Sequence, residues 1–204
     1  MYKRQQWKQL GSTITGEAPE DELGTSVAIS ADGNRVITGT PKSDVGFTDA
    51  GQARFFEYDG TDWNQVGSDI SGIEDYDLTG FAVSMSADGN RIAVSSLGRN
   101  LTGNDIGSVQ MYDYNGSNWT PVGASITGGF SDDQFGFKVS LSSDGSRVAA
   151  SSFKYNSNRG QVKVFQFNGS NWSQLGSEIE GDGSNEYTGY CLLYTSDAAD
   201  ERHC

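Results

Sequence analysis

The sequence predicts an all-β fold, an open fragment of a β-propeller whose four-stranded antiparallel blades repeat about every 56 residues. Tryptophan recurs at intervals of 56, 56 and 53 residues, at Trp7, Trp63, Trp119 and Trp172. Asp-Gly pairs repeat at the same 56-residue interval, at residues 32–33, 88–89 and 144–145. Each unit also contains four short segments of alternating apolar and polar residues separated by glycine turns, which is typical of a propeller blade.

Alternation and turns bound the strands of each unit. The first strand is predicted at residues 25–30, 81–86 and 137–142. An Asp-Gly turn follows, because glycine adopts positive φ without a steric penalty. The second strand is predicted at residues 35–40, 91–96 and 147–152, and the third at residues 52–58, 108–114 and 161–167. After an Asp-Gly or Asn-Gly turn, the fourth strand runs from each Trp to an Ile, as in residues 63–70.

Side-chain size indicates which strand is innermost. One face of the first strand carries only small residues, as expected where blades crowd around an axis; these are Ala28, Ser30, Ser84, Ser86, Ser140 and Ser142. The Trp residues then lie at the wide outer edge, where they either pack between neighbouring outer strands or offer a platform for a sugar. An Arg follows each Asp-Gly turn, at Arg35, Arg91 and Arg147, and either pairs with the turn aspartate or clamps a ligand.

Counted from each Trp, the repeats span residues 7–62, 63–118 and 119–171, and residues 172–190 begin a fourth. The third unit is three residues shorter, in the polar stretch around residues 154–158, which indicates a surface loop. Three blades and part of a fourth cannot form the closed ring of about 4–8 blades that hides sheet edges. We therefore expect exposed blade faces and a tendency to self-associate.

Both ends resemble translated sequencing adapter and not the repeat. Residues 191–201 match the translation of a transposase mosaic end and the adapter that continues it. Residues 1–5 match the reverse complement of the same element, read from a GTG start codon. We therefore assign residues 1–5 and 191–204 to adapter and base the fold prediction on residues 6–190.

This assignment changes the chemistry that the sequence predicts. Cys191, His203 and Cys204 are the only Cys and His residues of the chain, and all three lie in the adapter-like tail. Residues 6–190 therefore predict no disulfide, no zinc site and no Cys–His or Ser–His catalysis.

The charge of the chain limits its partners. The net charge is −13, from 14 basic and 27 acidic residues. Phosphate backbones and anionic membrane surfaces repel such a chain, so we expect no nucleic-acid partner and no membrane partner. No apolar run approaches the roughly 20 residues of a membrane-spanning helix, so we expect no membrane insertion. Cations, cationic ligands and neutral glycans remain candidate ligands.

Several of these features together resemble the FG-GAP repeats of integrin α-like propellers. The cues are Phe135-Gly136, with Leu23-Gly24 and Thr79-Gly80 at the same place, then the Asp-Gly turn and a second strand ending in Gly39-Thr40-Pro41. The outer-strand pattern Trp-x-x-Val/Leu-Gly-x-x-Ile is similar to a variant found in large secreted or surface microbial proteins. The resemblance covers residues 7–190. It implies a parent with about seven blades, located outside the cell or on its surface. The family's calcium loop, Asp-x-Asp-x-Asp-Gly, is replaced here by Ser-Ala-Asp-Gly or Ser-Ser-Asp-Gly.

The candidate ligand-binding residues are acids placed three residues before the Gly that opens each first strand. They are Asp21, Asp77, Asp133 and Glu186. In a closed propeller they would ring one mouth of the channel, where clustered carboxylates repel one another until a cation neutralises them. This interpretation predicts a rim that binds a cationic ligand or Ca²⁺. The alternative is that each acid hydrogen-bonds its own backbone within a turn.

The sequence thus predicts a non-catalytic binding, adhesion or scaffold module, in contact with neighbouring blades of a larger secreted or surface protein. Loops joining the second to the third strand and the fourth to the first strand should share one face, which we expect to bind a protein or a glycan. The alternative is a propeller hydrolase or lyase acting on glycans, because carboxylate pairs can perform acid–base chemistry without His. The acidic positions recur in every unit, whereas an active site usually interrupts a repeat, and this favours the binding module.

Overall fold

The computed structural model describes residues 8–98 and 105–192 and contains three antiparallel sheets, which follow one another along the chain. The first sheet comprises β1 (Ser26–Ile29), β2 (Arg35–Thr40), β3 (Gln52–Tyr58), β4 (Trp63–Gln65) and β5 (Ile70–Ser71). The second comprises β6 (Thr79–Met85), β7 (Arg91–Ser96), β8 (Ser108–Tyr114), β9 (Trp119–Pro121) and β10 (Ile126–Thr127). The third comprises β11 (Val139–Leu141), β12 (Arg147–Ser152), β13 (Gln161–Phe167), β14 (Trp172–Gln174) and β15 (Ile179–Glu180), with the single turn α1 (Tyr155–Asn158) before β13.

The predicted fold class is confirmed, because each sheet is one four-stranded antiparallel propeller blade and the three blades form an open arrangement. In every blade the first three strands pair in chain order, and the last two short strands both pair with the third. The bounds predicted for the second and third strands are those observed in all three blades. The first strands differ by a few residues at their ends, and β6 contains a register shift between Thr79 and Val83.

The fourth strand is interrupted, which the sequence did not predict. In the first blade, β4 and β5 are separated at Gly67, which has a φ of 77°. A Cβ atom at Gly67 would lie 3.2 Å from Cδ1 of Trp119 in the next blade. Gly123 has the same conformation and faces Trp172 in the same way. The break therefore makes room for the neighbouring Trp, and glycine is suited to it because a side chain would be strained at positive φ.

The core lies between the blades. Ile37 and Phe55 of the first blade pack with Met85 and Ile92 of the second. Met111 of the second blade packs with residues of the third in the same way; the third-blade members of this cluster are Val139, Leu141, Val148, Ala150, Phe165 and Trp172. Since each cluster joins two sheets face to face, burial of apolar surface holds the blades to one another.

The face of the first blade that points away from the second blade is exposed to solvent. Val27 and Ile29 of β1 are 64% and 60% exposed, although their equivalents one repeat later, Val83 and Met85, are buried against the first blade. The exposed pair therefore occupies the position that a preceding blade would cover. This is the exposed blade face expected for an open propeller fragment.

The first strands of neighbouring blades, together with the turns that follow them, meet through small residues and hydrogen bonds, as predicted for the innermost strand. The amide of Ala31 donates to the carbonyl of Ala87 at 2.8 Å, and the amide of Ala87 donates to the carbonyl of Ser143 at 2.8 Å. The hydroxyl oxygen of Ser84 accepts a hydrogen bond from the amide of Leu141 at 2.9 Å. These contacts recur from blade to blade and fix the spacing of the strands.

The tryptophans join the outer strands of adjacent blades, which agrees with the structural interpretation of these residues. Nε1 of Trp172 donates to the carbonyl of Val122 at 2.9 Å, and Nε1 of Trp63 donates to that of Leu10 at 3.0 Å. Trp119 is as buried as Trp172, but the Nε1 of Trp119 has no hydrogen-bond partner among the described residues.

This difference predicts unequal effects of one substitution. Trp172→Phe should lower the free energy of unfolding by about 1 kcal/mol more than Trp119→Phe, because only the first change breaks a hydrogen bond and leaves the half-buried carbonyl of Val122 unpaired. Urea unfolding of both variants measures the difference, and each variant controls for ring volume in the other. Equal losses would contradict the assignment of the hydrogen bonds.

The blades do not begin and end where the repeats counted from each Trp begin and end. Residues 172–180 pair with β13 and complete the third blade, and residues 181–190 continue beyond it. Residues 1–7 and 193–204, which contain nearly all of the two adapter-like ends, lie outside the described residues. Cys191 is exposed and lies outside any strand. No helix within residues 8–98 and 105–192 is long and apolar enough to span a membrane.

Candidate functional site

The two sets of long loops are connected to each other, as expected for loops that share one face. The amide of Lys42 donates to the carbonyl of Asp21 at 3.3 Å, and the amide of Gly98 donates to that of Asp77 at 3.1 Å. Gly160 forms a parallel bridge with Thr188. We call this surface the loop face and define it as residues 16–23, 42–50, 72–79, 128–135 and 153–159. The other predicted loop, 97–106, includes residues 99–104, which lie outside the described part.

The four predicted ligand-binding acids each bind the backbone of their own loop. Asp77 is 2% exposed, and its Oδ2 accepts from the amides of Ile73 at 2.8 Å and Glu74 at 3.1 Å. Asp21 and Asp133 are also buried, and each accepts from the amide three residues before it, at 3.0 Å. Glu186 is exposed and accepts from the amide of Asp182 at 2.6 Å.

These contacts correspond to the turn-forming alternative. Burial raises the pKa of Asp133, because the charged carboxylate loses solvation. Among the described residues, no group of three or more His, Cys, Asp or Glu side chains could hold a metal ion. The contacts we observe for Asp21, Asp77, Asp133 and Glu186 therefore shape their own loops.

The predicted pairing between each Arg and its turn aspartate is wrong for Arg35 and Arg91. Nε of Arg35 lies 3.1 Å from Glu57, and Arg91 makes two contacts with Asp113, at 2.6 and 2.8 Å. Each partner acid stands opposite its Arg in the register of the second and third strands. The strand bounds already implied this register, so the sequence contained the signal.

Arg35 and Arg91 also contact residues of the next blade. Nη1 of Arg91 donates to the carbonyl of Gly145 at 3.0 Å, and the guanidinium lies 4.9 Å from the ring centroid of Phe167. Arg35 likewise bonds to Asn90 and lies over the ring of Tyr114. Arg147 is exposed, stands opposite Gln166 and forms no ion pair within the described part of the chain. Arg35 and Arg91 therefore connect blades.

The turn aspartates bind within their own turns. Oδ1 of Asp144 accepts from the hydroxyl of Ser142 at 2.5 Å and from the amide of Ser146 at 2.9 Å. The Ser142 hydrogen bond is the main reason why the pKa of Asp144 is lowered from 3.8 to about 2. Asp32 and Asp88 make the same two kinds of hydrogen bond.

The lowered pKa predicts a pH-dependent effect. Because the folded pKa is below the unfolded one, the ionised Asp144 stabilises the fold above about pH 4, and this contribution is lost as the pH falls towards about 2. Asp144→Asn should lower the melting temperature at about pH 6 by up to about 2 °C, a small effect because the turn is exposed. Thermal unfolding at several pH values measures the difference, which should shrink below about pH 4. A difference that does not change with pH would contradict the role of the charge.

Two clefts open on the loop face, at equivalent places in the first and third blades. The first-blade cleft has a volume of about 920 Å³ and is lined by residues 18–22 with Lys42, Asp44 and Asp49. Its lysine is bound to Glu22 at 2.6 Å. The third-blade cleft has a volume of about 540 Å³ and is lined by residues 130–133 and 154–158. The first lining is strongly acidic, whereas the second contains two aromatic rings, amides and hydroxyls.

Sequence analysis identified the surface loop around residues 154–158 but not the cleft beside it. Phe130 and Tyr155 are the residues it missed, and their rings lie 5.8 Å apart, centroid to centroid. The sequence did contain a signal for this cleft, because neither aromatic residue recurs at the matching position of the other units.

Comparisons with known proteins give similarity of structure only. No family model matches the chain, and no curated protein matches it in sequence. Hydrazine synthase of Kuenenia stuttgartiensis is similar to 85% of the chain over 40% of its own length, with a TM-score of 0.49 and 13% identity. TolB from Acinetobacter baumannii is similar to 76% of the chain over 32% of its own length, with a TM-score of 0.45 and 15% identity. The chain thus spans well under half the length of either protein.

Proposed function

We propose that this chain is a non-catalytic binding module of a larger secreted or surface propeller protein of the FG-GAP type, and that its loop face binds a protein or a glycan. The observation that carries the proposal is the pair of clefts on the loop face. They occupy equivalent positions on a repeated scaffold, yet their linings differ in charge and in aromatic content. Loops held on a rigid scaffold are where binding residues usually lie.

The opposite face supports the same proposal by contrast. We call it the turn face and define it as residues 31–34, 59–62, 87–90, 115–118, 143–146 and 168–171. Its polar side chains bind one another in nearly the same way in each blade; for example, Asn34 donates to Asp32 and Asn90 donates to Asp88, both at 3.0 Å. Side chains that already have partners and repeat from blade to blade offer little to distinguish one ligand from another.

The acidic composition of the chain favours ligands of a particular charge. With a net charge of −13, the chain repels anionic polymers, and neutral or cationic ligands are favoured. The secreted or surface location follows from the resemblance of the repeat, and the loop face is where a partner outside the cell would bind.

The test masks one face at a time. In the full chain with Cys191→Ser and Cys204→Ser, a single cysteine is introduced by Ser131→Cys on the loop face or by Ser117→Cys on the turn face, both at exposed positions. Each cysteine is coupled to a polyethylene glycol maleimide. Binding is then measured on arrays of immobilised glycans and of immobilised extracellular-matrix proteins.

We expect the loop-face mask to abolish binding and the turn-face mask to leave it unchanged. The reverse pattern, or no binding to either class of ligand by the unmasked protein, would contradict the proposed surface. Release of cleaved products from the array glycans would contradict a non-catalytic role and favour the hydrolase or lyase alternative.

A further inference from the structure

The third-blade cleft contains an exposed aromatic surface that no part of the described chain covers. Phe130 is 62% exposed, and its ring makes an angle of 49° with that of Tyr155. Two rings at this angle form a corner, so one flat ligand can stack on one ring and touch the edge of the other.

The two residues of this corner have partners in the surrounding structure. The pKa of Tyr155 is raised, first by burial and then by the nearby charge of Glu180, and Glu180 in turn contacts Arg159 at 3.4 Å and accepts from Gln161 at 3.3 Å. The amide of Phe130 donates to the buried carboxylate of Asp133. The backbone that carries Phe130 is therefore fixed before a ligand binds, which lowers the ordering cost of binding.

The third wall of the cleft is a strained turn. Asn156, Ser157 and Asn158 have φ values of 48°, 60° and 61°, in the left-handed region that residues other than glycine rarely enter in succession. Contacts from outside the turn hold it there. The amide of Asn185 donates to the carbonyl of Ser157 at 3.3 Å, and that of Tyr187 donates to the carbonyl of Asn158 at 2.9 Å. The strained turn places two amides and a hydroxyl along the cleft, and strain of this kind is concentrated at functional sites.

The polar lining suits an uncharged ligand with many hydroxyls. Asp132 provides acceptors, Lys154 provides donors, and the side chains of residues 156–158 provide both. The carboxylates of Asp132 and Asp133 disfavour an anionic ligand, and the ammonium group of Lys154 offsets part of their attraction for a cation. A sugar ring combines an apolar C–H face with hydroxyls at its rim, which matches an aromatic wall bordered by donors and acceptors.

We propose that the third-blade cleft binds a neutral sugar residue, which stacks its C–H face on Phe130 and hydrogen-bonds through its hydroxyls to Asp132 and the 156–158 turn. This inference rests on the proposed function, since it names the ligand class for one part of the loop face. The first-blade cleft does not share the property, because its lining contains no aromatic residue.

The experiment uses an array that contains neutral glycans beside sulfated and sialylated ones, followed by calorimetric titration of the full chain with the tightest-binding neutral oligosaccharide. Phe130→Ala should weaken binding at least about tenfold, the factor expected for loss of one aromatic stacking contact. Phe130→Trp should retain the affinity, because it preserves the ring. Phe47→Ala is the matched control, since Phe47 is an exposed aromatic residue on the loop face of the first blade, and it should change nothing.

Three results would overturn the inference. They are the absence of binding to any neutral glycan, binding to sulfated or sialylated glycans alone, and an unchanged affinity in Phe130→Ala. Circular dichroism confirms that each variant is folded. Capture of matrix proteins that is lost only with the Ser131 mask would uphold the proposed function even if the neutral-glycan assignment failed, so the two failures are distinguishable.

Discussion

Met85→Ala should lower the free energy of unfolding by about 2–5 kcal/mol, whereas Ile29→Ala should lower it by less than about 1 kcal/mol. The two residues stand 56 positions apart, at the same place in successive repeats. Met85 is 8% exposed and packs in the core between the first two blades, while Ile29 is 60% exposed. Only the first substitution leaves a cavity, and the second removes a side chain that mostly contacts solvent.

Urea unfolding followed by tryptophan fluorescence measures both losses. The protein concentration is varied, because the exposed face that contains Val27 and Ile29 is expected to self-associate, and analytical ultracentrifugation shows the concentration at which the chain is monomeric. Equal losses for the monomer would mean that Ile29 is covered in solution, and the open arrangement of the three blades would then be wrong.

Arg91→Met should lower the free energy of unfolding by about 2 kcal/mol, whereas Arg147→Met should change it by no more than about 0.5 kcal/mol. Arg91 binds Asp113 through two contacts, donates to the carbonyl of Gly145 and lies over the ring of Phe167. Arg147, at the equivalent position of the third blade, is exposed and forms no ion pair with any described residue. Methionine preserves most of the aliphatic stem, so the comparison isolates the guanidinium group.

Salt dependence provides the control for this second pair. The side chain of Asp113 is 41% exposed, so part of the attraction to Arg91 is screened, and the loss in Arg91→Met should become smaller in high salt. The stability of Arg147→Met relative to the parent chain should not respond to salt. A large loss in both variants, or in neither, would contradict the role of these arginines in joining blades.

The features that sequence predicted correctly depend on short stretches of chain. The Asp-Gly turn fixes the start of residues 91–96 and the Asn-Gly turn fixes the end of residues 108–114, and alternation gives the other ends, so both strands were bounded correctly. The features that it missed depend on the neighbouring blade. The break at Gly67 exists because Trp119 packs there, and the partner of Arg91 is selected by strand register and by the next turn.

The same distinction between local features and features that depend on distant residues applies to the candidate site. The acids before each first strand were located by their spacing, but spacing alone cannot distinguish a carboxylate that faces a channel from one that caps its own loop. The amides beside Asp77 decide this for that residue. The third-blade cleft depends on two loops about 25 residues apart in sequence, and on a left-handed turn that no residue pattern specifies.

The hydrogen bonds between the turns that follow the first strands have a consequence for how such a protein can change in size. The amide of Ala31 binds the carbonyl of Ala87, and the amide of Ala87 in turn binds that of Ser143, so each blade offers its neighbours the same donor and acceptor. An in-frame duplication or loss of one whole repeat would therefore recreate a junction that the fold already contains. Gain or loss of blades requires no new interface, and the loops of each copy are then free to diverge.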